Sequence, residues 1–103
     1  MKLLLCCGAG MSSGFLANNV KKAAKKRKWS VEVEARSHVD VVNNLTGVDM
    51  LLLGPHYSTE KENFEKMTEQ YRIPVEVIPG DIYGILDGDA LLDYVQNLLK
   101  EEK

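Results

Sequence analysis

The sequence predicts a single-domain α/β protein, an open four-stranded parallel sheet with helices on both faces. Three observations predict it. The runs Lys2–Cys7 and Met50–Leu53 are continuously apolar, as strands buried on both faces are. Segments of helical period alternate with the strand-like runs along the whole chain. The length, 103 residues, suits one domain and not two. A chain of this size buries roughly 65% of the surface its unfolded form exposes, enough for an independent core.

Each element has its own signal. After the first strand, Ser13–Lys28 reads as a helix. Leu16, Val20, Ala23, Ala24 and Arg27 share one face, and Lys21, Lys22, Lys25 and Lys26 face outward. Ser12 or Ser13 can cap its start, and its late lysines suit the negative end of the helix dipole. Ser30–Ala35 alternates Val31, Val33 and Ala35 with Glu32 and Glu34, the pattern of an edge or half-exposed strand. Val39–Leu45 is a short helix ended by Asn43, Asn44 and Gly47. Met50–Leu53 is a strand stopped by Gly54-Pro55. Thr59–Tyr71 is a helix with Phe64 and Met67 inward, and Pro74–Ile78 is the fourth strand. Asp89–Lys100 is a terminal helix with Leu91, Leu92, Val95, Leu98 and Leu99 inward, and Lys100–Lys103 is a frayed tail.

The order β-α-β-α-β-α-β-α is that of a Rossmann-like or flavodoxin-like sheet with right-handed crossovers. In such sheets sites form at the carboxyl ends of strands, near the switch in strand order. Three loops fall there: Cys7–Ser13, Gly54–Thr59 and Pro79–Gly84. No internal repeat, linker or low-complexity segment interrupts the chain.

Composition narrows the function. The chain is 45% hydrophobic and 27% charged with a net charge of −2, so no overall basic excess holds nucleic acid or anionic lipid. No apolar run approaches the roughly 20 residues of a membrane span. The opening MKLLLCC is too short for a secretory leader. Adjacent cysteines make a poor disulfide framework. The expectation is a cytoplasmic protein with reduced thiols.

The loop after the first strand carries the chemistry. It leads from an apolar strand into a helix N-terminus, where backbone N–H groups lack partners and the dipole is positive. Glycines let the backbone approach a ligand, and the serines add hydroxyl donors, so the loop is an anion cradle. A thiol at its base is favoured as thiolate by the same field. Three specific readings compete. Gly8-Ala9-Gly10-Met11-Ser12-Ser13-Gly14 is one residue longer than the dinucleotide fingerprint. A nucleotide-binding P-loop needs Gly-Lys-Ser/Thr, which is absent. Cysteine-dependent phosphatases place an Arg six residues beyond the nucleophile. Here Ser13 stands six beyond Cys7, and Ser12 six beyond Cys6. The missing Arg argues against efficient hydrolysis, but not against a thiol that accepts and passes on a phosphoryl group.

Cys7-Gly8-Ala9-Gly10-Met11-Ser12-Ser13 resembles the C-x-A-G-M-S-T/S loop of the lactose/cellobiose family of IIB proteins. These are the cysteine-phosphorylated subunits of the bacterial sugar phosphotransferase system (PTS). The likeness continues through DMLLLGPHYS (Asp49–Ser58) and through IPVEVIP followed by YG (Ile73–Gly84), and so covers nearly the whole chain. Three features depart from the pattern. Gly8 stands where a serine is common, Cys6 precedes the expected nucleophile, and Pro79-Gly80-Asp81 stands where an Asp usually follows the fourth strand.

The resemblance implies one EIIB-type domain over residues 1–103 and a phosphocarrier function. Cys7 would be the phosphocysteine, cradled by Gly8, Ala9, Gly10, Met11, Ser12, Ser13 and Gly14. The donor would be a phosphohistidine on a IIA protein. The acceptor would be a sugar, such as the β-linked disaccharides cellobiose or lactose, bound in a membrane IIC subunit. Localisation would be cytoplasmic, at the inner membrane face through IIC. No cofactor, nucleotide or metal is implied, and no nucleic acid or direct membrane insertion. The alternative is a stand-alone anion-binding or thiol redox module of the same fold.

Cys6 alternates away from Cys7, which points it into the core. His56 is either a relay near the cradle or an ordinary loop histidine, and Tyr83 either lines the cradle or packs. His38 has no histidine or cysteine at ligand spacing. The lysine run from Lys21 to Lys28 is a solvated face or a partner-docking surface.

The spacing generates one prediction. Ser13→Arg would put a guanidinium fork six residues beyond Cys7, where it stabilises hydrolysis as well as formation of a thiophosphate ester. The phosphorylated variant should lose its phosphoryl group faster than wild type. The check is its half-life, with a thermal melt to confirm folding; an equal or longer half-life in a folded variant refutes the idea.

Overall fold

The structure, a computed structural model, describes residues 1–6, 11–37 and 39–101, and for residues 11–13 and 101 the backbone alone. The expected β strands are present: β1 (Lys2–Cys6), β2 (Glu32–Arg36), β3 (Met50–Leu53) and β4 (Val75–Val77). They form one four-stranded sheet in the order β2-β1-β3-β4, with every pair parallel. The central strands β1 and β3 are the two apolar runs. Leu3, Leu4, Leu5 and Met50, Leu51, Leu52, Leu53 are all 0% exposed. β2 lies on the edge as its glutamates suggest, with Val33 buried and Glu32 exposed.

Side chains alternate between two cores. Leu3, Leu5, Met50, Leu52 and Ile78 face a helical layer made of α1 (Met11–Lys26) and α4 (Gly88–Glu101). Leu4, Cys6, Leu51, Leu53 and Val75 face the opposite layer, where Val41, Leu45 and Phe64 cover them. Cys6 is therefore a core residue, 1% exposed. On α1 the inward face is Leu16, Ala17, Val20, Ala23 and Ala24, and Lys21, Lys22, Lys25 and Lys26 are exposed, in line with the helical period.

Arg27, placed on the inward face by its spacing, turns toward α4. Its Nη1 donates to Asp93 Oδ1 at 2.9 Å and its Nη2 to the Asp89 carbonyl at 3.0 Å. The hydrogen bond to Asp93 leads the causes that raise this guanidinium above its ordinary value, so it stays charged wherever the protein is folded.

Several boundaries differ from the sequence reading. The helix expected from Ser13 begins at Met11, so Ser12 and Ser13 lie in its first turn and are not its N-cap. The expected helix Val39–Leu45 is a single 3₁₀ turn, Val41–Asn44. The long helix Thr59–Tyr71 is three pieces: a 3₁₀ segment Pro55–Glu60, α2 (Lys61–Thr68), and a 3₁₀ turn Glu69–Tyr71. The last piece stops where Arg72 takes φ 56°, ahead of Ile73, whose helical conformation Pro74 disfavours.

The segment Pro79–Gly84, read as a loop, is largely a helix, α3 (Gly80–Ile85). Its two glycines leave no apolar stripe to read, and its end is set by tertiary contact. Leu86 turns left-handed at φ 54°, and Asn19 Nδ2 of α1 donates to its carbonyl at 2.8 Å. The frayed tail expected from Lys100 is instead helical at its start, because α4 continues through Lys100 to Glu101; Glu102 and Lys103 lie outside the described residues.

The α1–α4 contact rests on Gly88. A Cβ there would lie 2.4 Å from the carbonyl carbon and oxygen of Asn19 and 2.6 Å from the nitrogen of Val20. These are backbone atoms, so no rotamer change relieves the clash. Gly88→Ala should cost about 2 kcal/mol or more, the scale of overpacking, as the helices separate. A urea titration checks it, and a midpoint unchanged from wild type contradicts it.

Candidate functional site

The parallel order places the switch point between β1 and β3, because the chain winds from β1 outward to β2 and then to β3 on β1's other side. Their carboxyl ends are tied directly. Gly54 N donates to the Cys6 carbonyl at 2.9 Å, and Ile78 N donates to the Leu53 carbonyl at 2.8 Å. The ends of β1, β3 and β4 are thus held side by side, and residues 7–10 leave from the first of them.

Gly54 lets a side chain approach closely here. It has an extended backbone (φ −60°, ψ 152°), and the chain turns at Pro55 into the 3₁₀ segment. The imidazole of His56 folds back over it. A Cβ on Gly54 would meet His56 Cε1 at 2.8 Å and Nδ1 at 3.2 Å. Tyr57 lies beside the imidazole, ring centres 4.6 Å apart, and Tyr83 of α3 stands edge-on at 6.1 Å. Tyr57 in turn packs edge-on against Phe64 at 6.2 Å, which anchors the cluster to the core. His56 itself is exposed.

The structure thus joins His56 and Tyr83, which are 27 positions apart in the chain, and adds Tyr57 to them. Tyr57 was not singled out in the sequence. The signal for it was an aromatic residue next to a histidine just after a Gly-Pro turn. Of the expected cradle, Cys7, Gly8, Ala9 and Gly10 lie outside the described residues, as does His38. Met11, Ser12, Ser13 and Gly14 are not loop but the first turn of α1. The first-turn N–H groups of an α-helix have no acceptor within the helix, and the dipole is positive there. Gly14 is not required by packing, since nothing stands within 4 Å of a Cβ built on it.

Arg36, in register with Cys6, holds its guanidinium back along β2. Its Nη1 donates to the Ala35 carbonyl at 3.0 Å, and its Nη2 lies 3.5 Å from Glu34 Oε2. A groove of about 450 Å³ runs between α1 and β2, with Phe15, Asn18, Lys21 and Arg36 among its lining, on the far side of β1 from His56. No cluster of three or more His, Cys, Asp or Glu able to hold a metal occurs among the described residues.

Fold and strand-end cluster together define a small doubly wound α/β protein whose strand ends gather at its switch point. The profile of the family described as "PTS system, Lactose/Cellobiose specific IIB subunit" matches residues 2–94. The galactose-specific EIIB component of the PTS from Lactococcus lactis subsp. cremoris (strain MG1363) is 35% identical over 94% of this chain and 94% of its own. A lactose-specific EIICB component from Lacticaseibacillus casei is 32% identical over 94% of this chain, which spans 17% of that longer protein. Among solved structures, the lactose-specific IIB domain of the PTS from Streptococcus pneumoniae superposes with a TM-score of 0.84. That match is 19% identical and covers 94% of this chain and 95% of that one, a likeness of fold. The chain belongs to the lactose/cellobiose-specific IIB family of the sugar phosphotransferase system. It is a IIB component of lactose/cellobiose-type sugar transport, and such components are phosphotransferases.

The close approach at Gly54 generates a prediction. In Gly54→Ala the new methyl clashes with the end of a side chain, while its backbone neighbour, the Cys6 carbonyl oxygen, stands at an ordinary 3.6 Å, so the imidazole moves and the fold stays. Stability should change by less than about 1 kcal/mol while the ring resonances of His56 and Tyr83 shift. Unchanged ring resonances would show that the imidazole does not rest on Gly54.

Proposed function

We propose that the protein is a phosphocarrier. It accepts a phosphoryl group on Cys7 from a phosphohistidine of a IIA partner, then passes it to a sugar bound in a membrane IIC subunit. The observation that carries this reading is positional: residues 7–10 join the carboxyl end of β1, at the switch point, to the N-terminus of α1. Cys7 opens that connection, and its thiolate is the nucleophile. Backbone N–H groups of Gly8, Ala9 and Gly10 and of the first turn of α1, from Met11 through Ser12 and Ser13 to Gly14, receive the phosphoryl oxygens. In-line geometry comes from docking of each partner.

The donor brings an already activated phosphoryl group, so no nucleotide enters the scheme. The position six beyond Cys7 is Ser13, so the arginine that would assist an attacking water is absent from the loop. An ester that must wait for a partner gains lifetime from that absence. The joined EIIC and EIIB parts of the Lacticaseibacillus casei relative support a IIC partner for this chain. No helix among the described residues is long and apolar enough to cross a membrane. The proposed location is the cytoplasmic side of the membrane, held there by IIC, with the whole chain acting as one IIB domain. The sugar class that fits the family is a β-linked disaccharide such as cellobiose or lactose.

The test is intact-mass analysis after incubation with the general PTS phosphorylation components and a IIA protein. Wild type should gain one phosphoryl group, Cys7→Ser none, and Cys6→Ser one, because Cys6 is sealed in the core. Labelling that survives Cys7→Ser and disappears with Cys6→Ser would overturn the assignment.

A further inference from the structure

The groove of about 450 Å³ between α1 and β2 joins an apolar lining to a run of positive charge. Val33 and Ala35 of β2 line it on one side, and Phe15, Asn18 and Lys21 of α1 on the other, with Arg36 at the end of β2. Phe15 is 60% exposed, so an aromatic ring stands open to water at the groove. Lys25 follows Lys21 on the same helical row, with Lys22 and Lys26 on the next, and all four are exposed. α1 contains no acidic residue, and none of these lysines forms an ion pair among the described residues. Asp87 and Asp89 share a smaller groove with Lys22 and Lys26, but both are engaged: Asp89 accepts from Arg27, and Asp87 from the Ala90 N–H. A chain of net charge −2 thus carries a local positive excess along one helix.

We propose that this side of α1 docks the phosphoryl donor: an acidic face of the IIA protein lies along Lys21 and Lys25, and one of its apolar side chains enters the groove beside Phe15. The inference rests on the reading of the chain as a carrier supplied by IIA. Charge complementarity selects the occupant. The lysine row asks for carboxylates, whereas the cytoplasmic loops of a membrane subunit carry an excess of Lys and Arg, which this face repels. The surface therefore favours the donor over the acceptor. Reach is sufficient. Lys21 stands ten residues beyond Met11, about 15 Å along α1 from the helix start that adjoins the switch point. A standard interface covers roughly 800 Å² per partner, a patch about 30 Å across. A donor seated over the start of α1 thus has the groove beneath it and the lysines at its rim. The two parts act differently. An aromatic ring in a groove holds the complex together, while rim charges steer the encounter and make it depend on salt.

The test uses the whole chain and a phosphorylated IIA protein, with a thermal melt of each variant to confirm folding. Lys21→Glu with Lys25→Glu reverses two charges on the proposed surface. Lys61→Glu with Lys66→Glu makes the same change of charge on α2, in the opposite layer. At about 0.01 M salt, where charges act over about 30 Å, the α1 pair should lower kcat/KM for transfer about tenfold or more and leave kcat within about twofold. At about 1 M salt, where they act over about 3 Å, the gap should close to within about twofold. The α2 pair should stay within about twofold of wild type at both salts. Phe15→Ala should lower kcat/KM about fivefold or more at both salts, as loss of an apolar anchor does. Titration of the ¹⁵N-labelled chain with unphosphorylated IIA protein should move the amide resonances of Phe15, Asn18 and Lys21. Equal effects of the two lysine pairs, a gap that salt does not close, Phe15→Ala at the wild-type rate, or unmoved α1 resonances at saturating IIA would each overturn the proposal. So would lysine-dependent binding to phosphatidylglycerol vesicles with transfer unaffected, which would assign the face to lipid. Failure of wild-type Cys7 to take label would instead overturn the phosphocysteine reading, and the titration would then decide the docking surface by itself.

Discussion

The constraint on which everything else depends is that β1 and β3 are apolar on both faces. A strand with leucines at Leu3, Leu4 and Leu5 has no side it can show to water, and neither has Leu51-Leu52-Leu53. Burying one such side chain is worth roughly 2 kcal/mol, and the leucines on opposite faces of a strand need separate covers. Two helical layers follow. So does the central position of these strands, with the glutamate-bearing β2 displaced to the edge. The order β2-β1-β3-β4 then places the reversal of winding between the two central strands.

From that placement the strand-end geometry follows by short steps. β1 and β3 are neighbours, so Gly54 can donate to the Cys6 carbonyl, and a residue with a Cβ would have to push His56 aside. β4 lies next to β3, so α3 brings Tyr83 to the same imidazole. α1 is held against α4 at Gly88 and by Arg27 reaching Asp93, which sets the direction from which its N-terminus meets the switch point. The chemistry proposed for Cys7 uses this convergence: a nucleophile whose connection runs from the gathered strand ends to a helix N-terminus.

The family relationship has the same physical logic. The Streptococcus pneumoniae IIB domain keeps the fold at 19% identity. What such a fold demands is a pattern, with apolar strands of the right length between amphipathic helices, and many residues satisfy it. The proposed carrier role asks for something narrower, a short connection from β1 to α1 with a thiol and small residues. That is also where the resemblance in the sequence is densest.

Much of this was legible in the sequence because the signals were local. Continuous apolar runs marked β1 and β3, strict alternation marked β2 as an edge, and the helical period of Leu16, Val20, Ala23 and Ala24 oriented α1 correctly. The motif from Cys7 onward pointed to the family, because a loop's chemistry is written in consecutive residues. Other features were decided only by tertiary structure. α3 has two glycines and no apolar stripe, and its left-handed end at Leu86 is held by a hydrogen bond from Asn19, far away in the chain. The start of α1 at Met11 drew Met11 and Ser12 out of the expected loop and into the first helical turn, with Ser13 and Gly14 following them. The setting of His56 against Gly54 and beside Tyr57 and Tyr83 depends on strand ends brought together by the sheet. The sequence determined which segments pair and which faces are buried, because periodicity and burial are properties of neighbouring residues. The site needed the fold, because its side chains come from segments that become neighbours only when the sheet is complete.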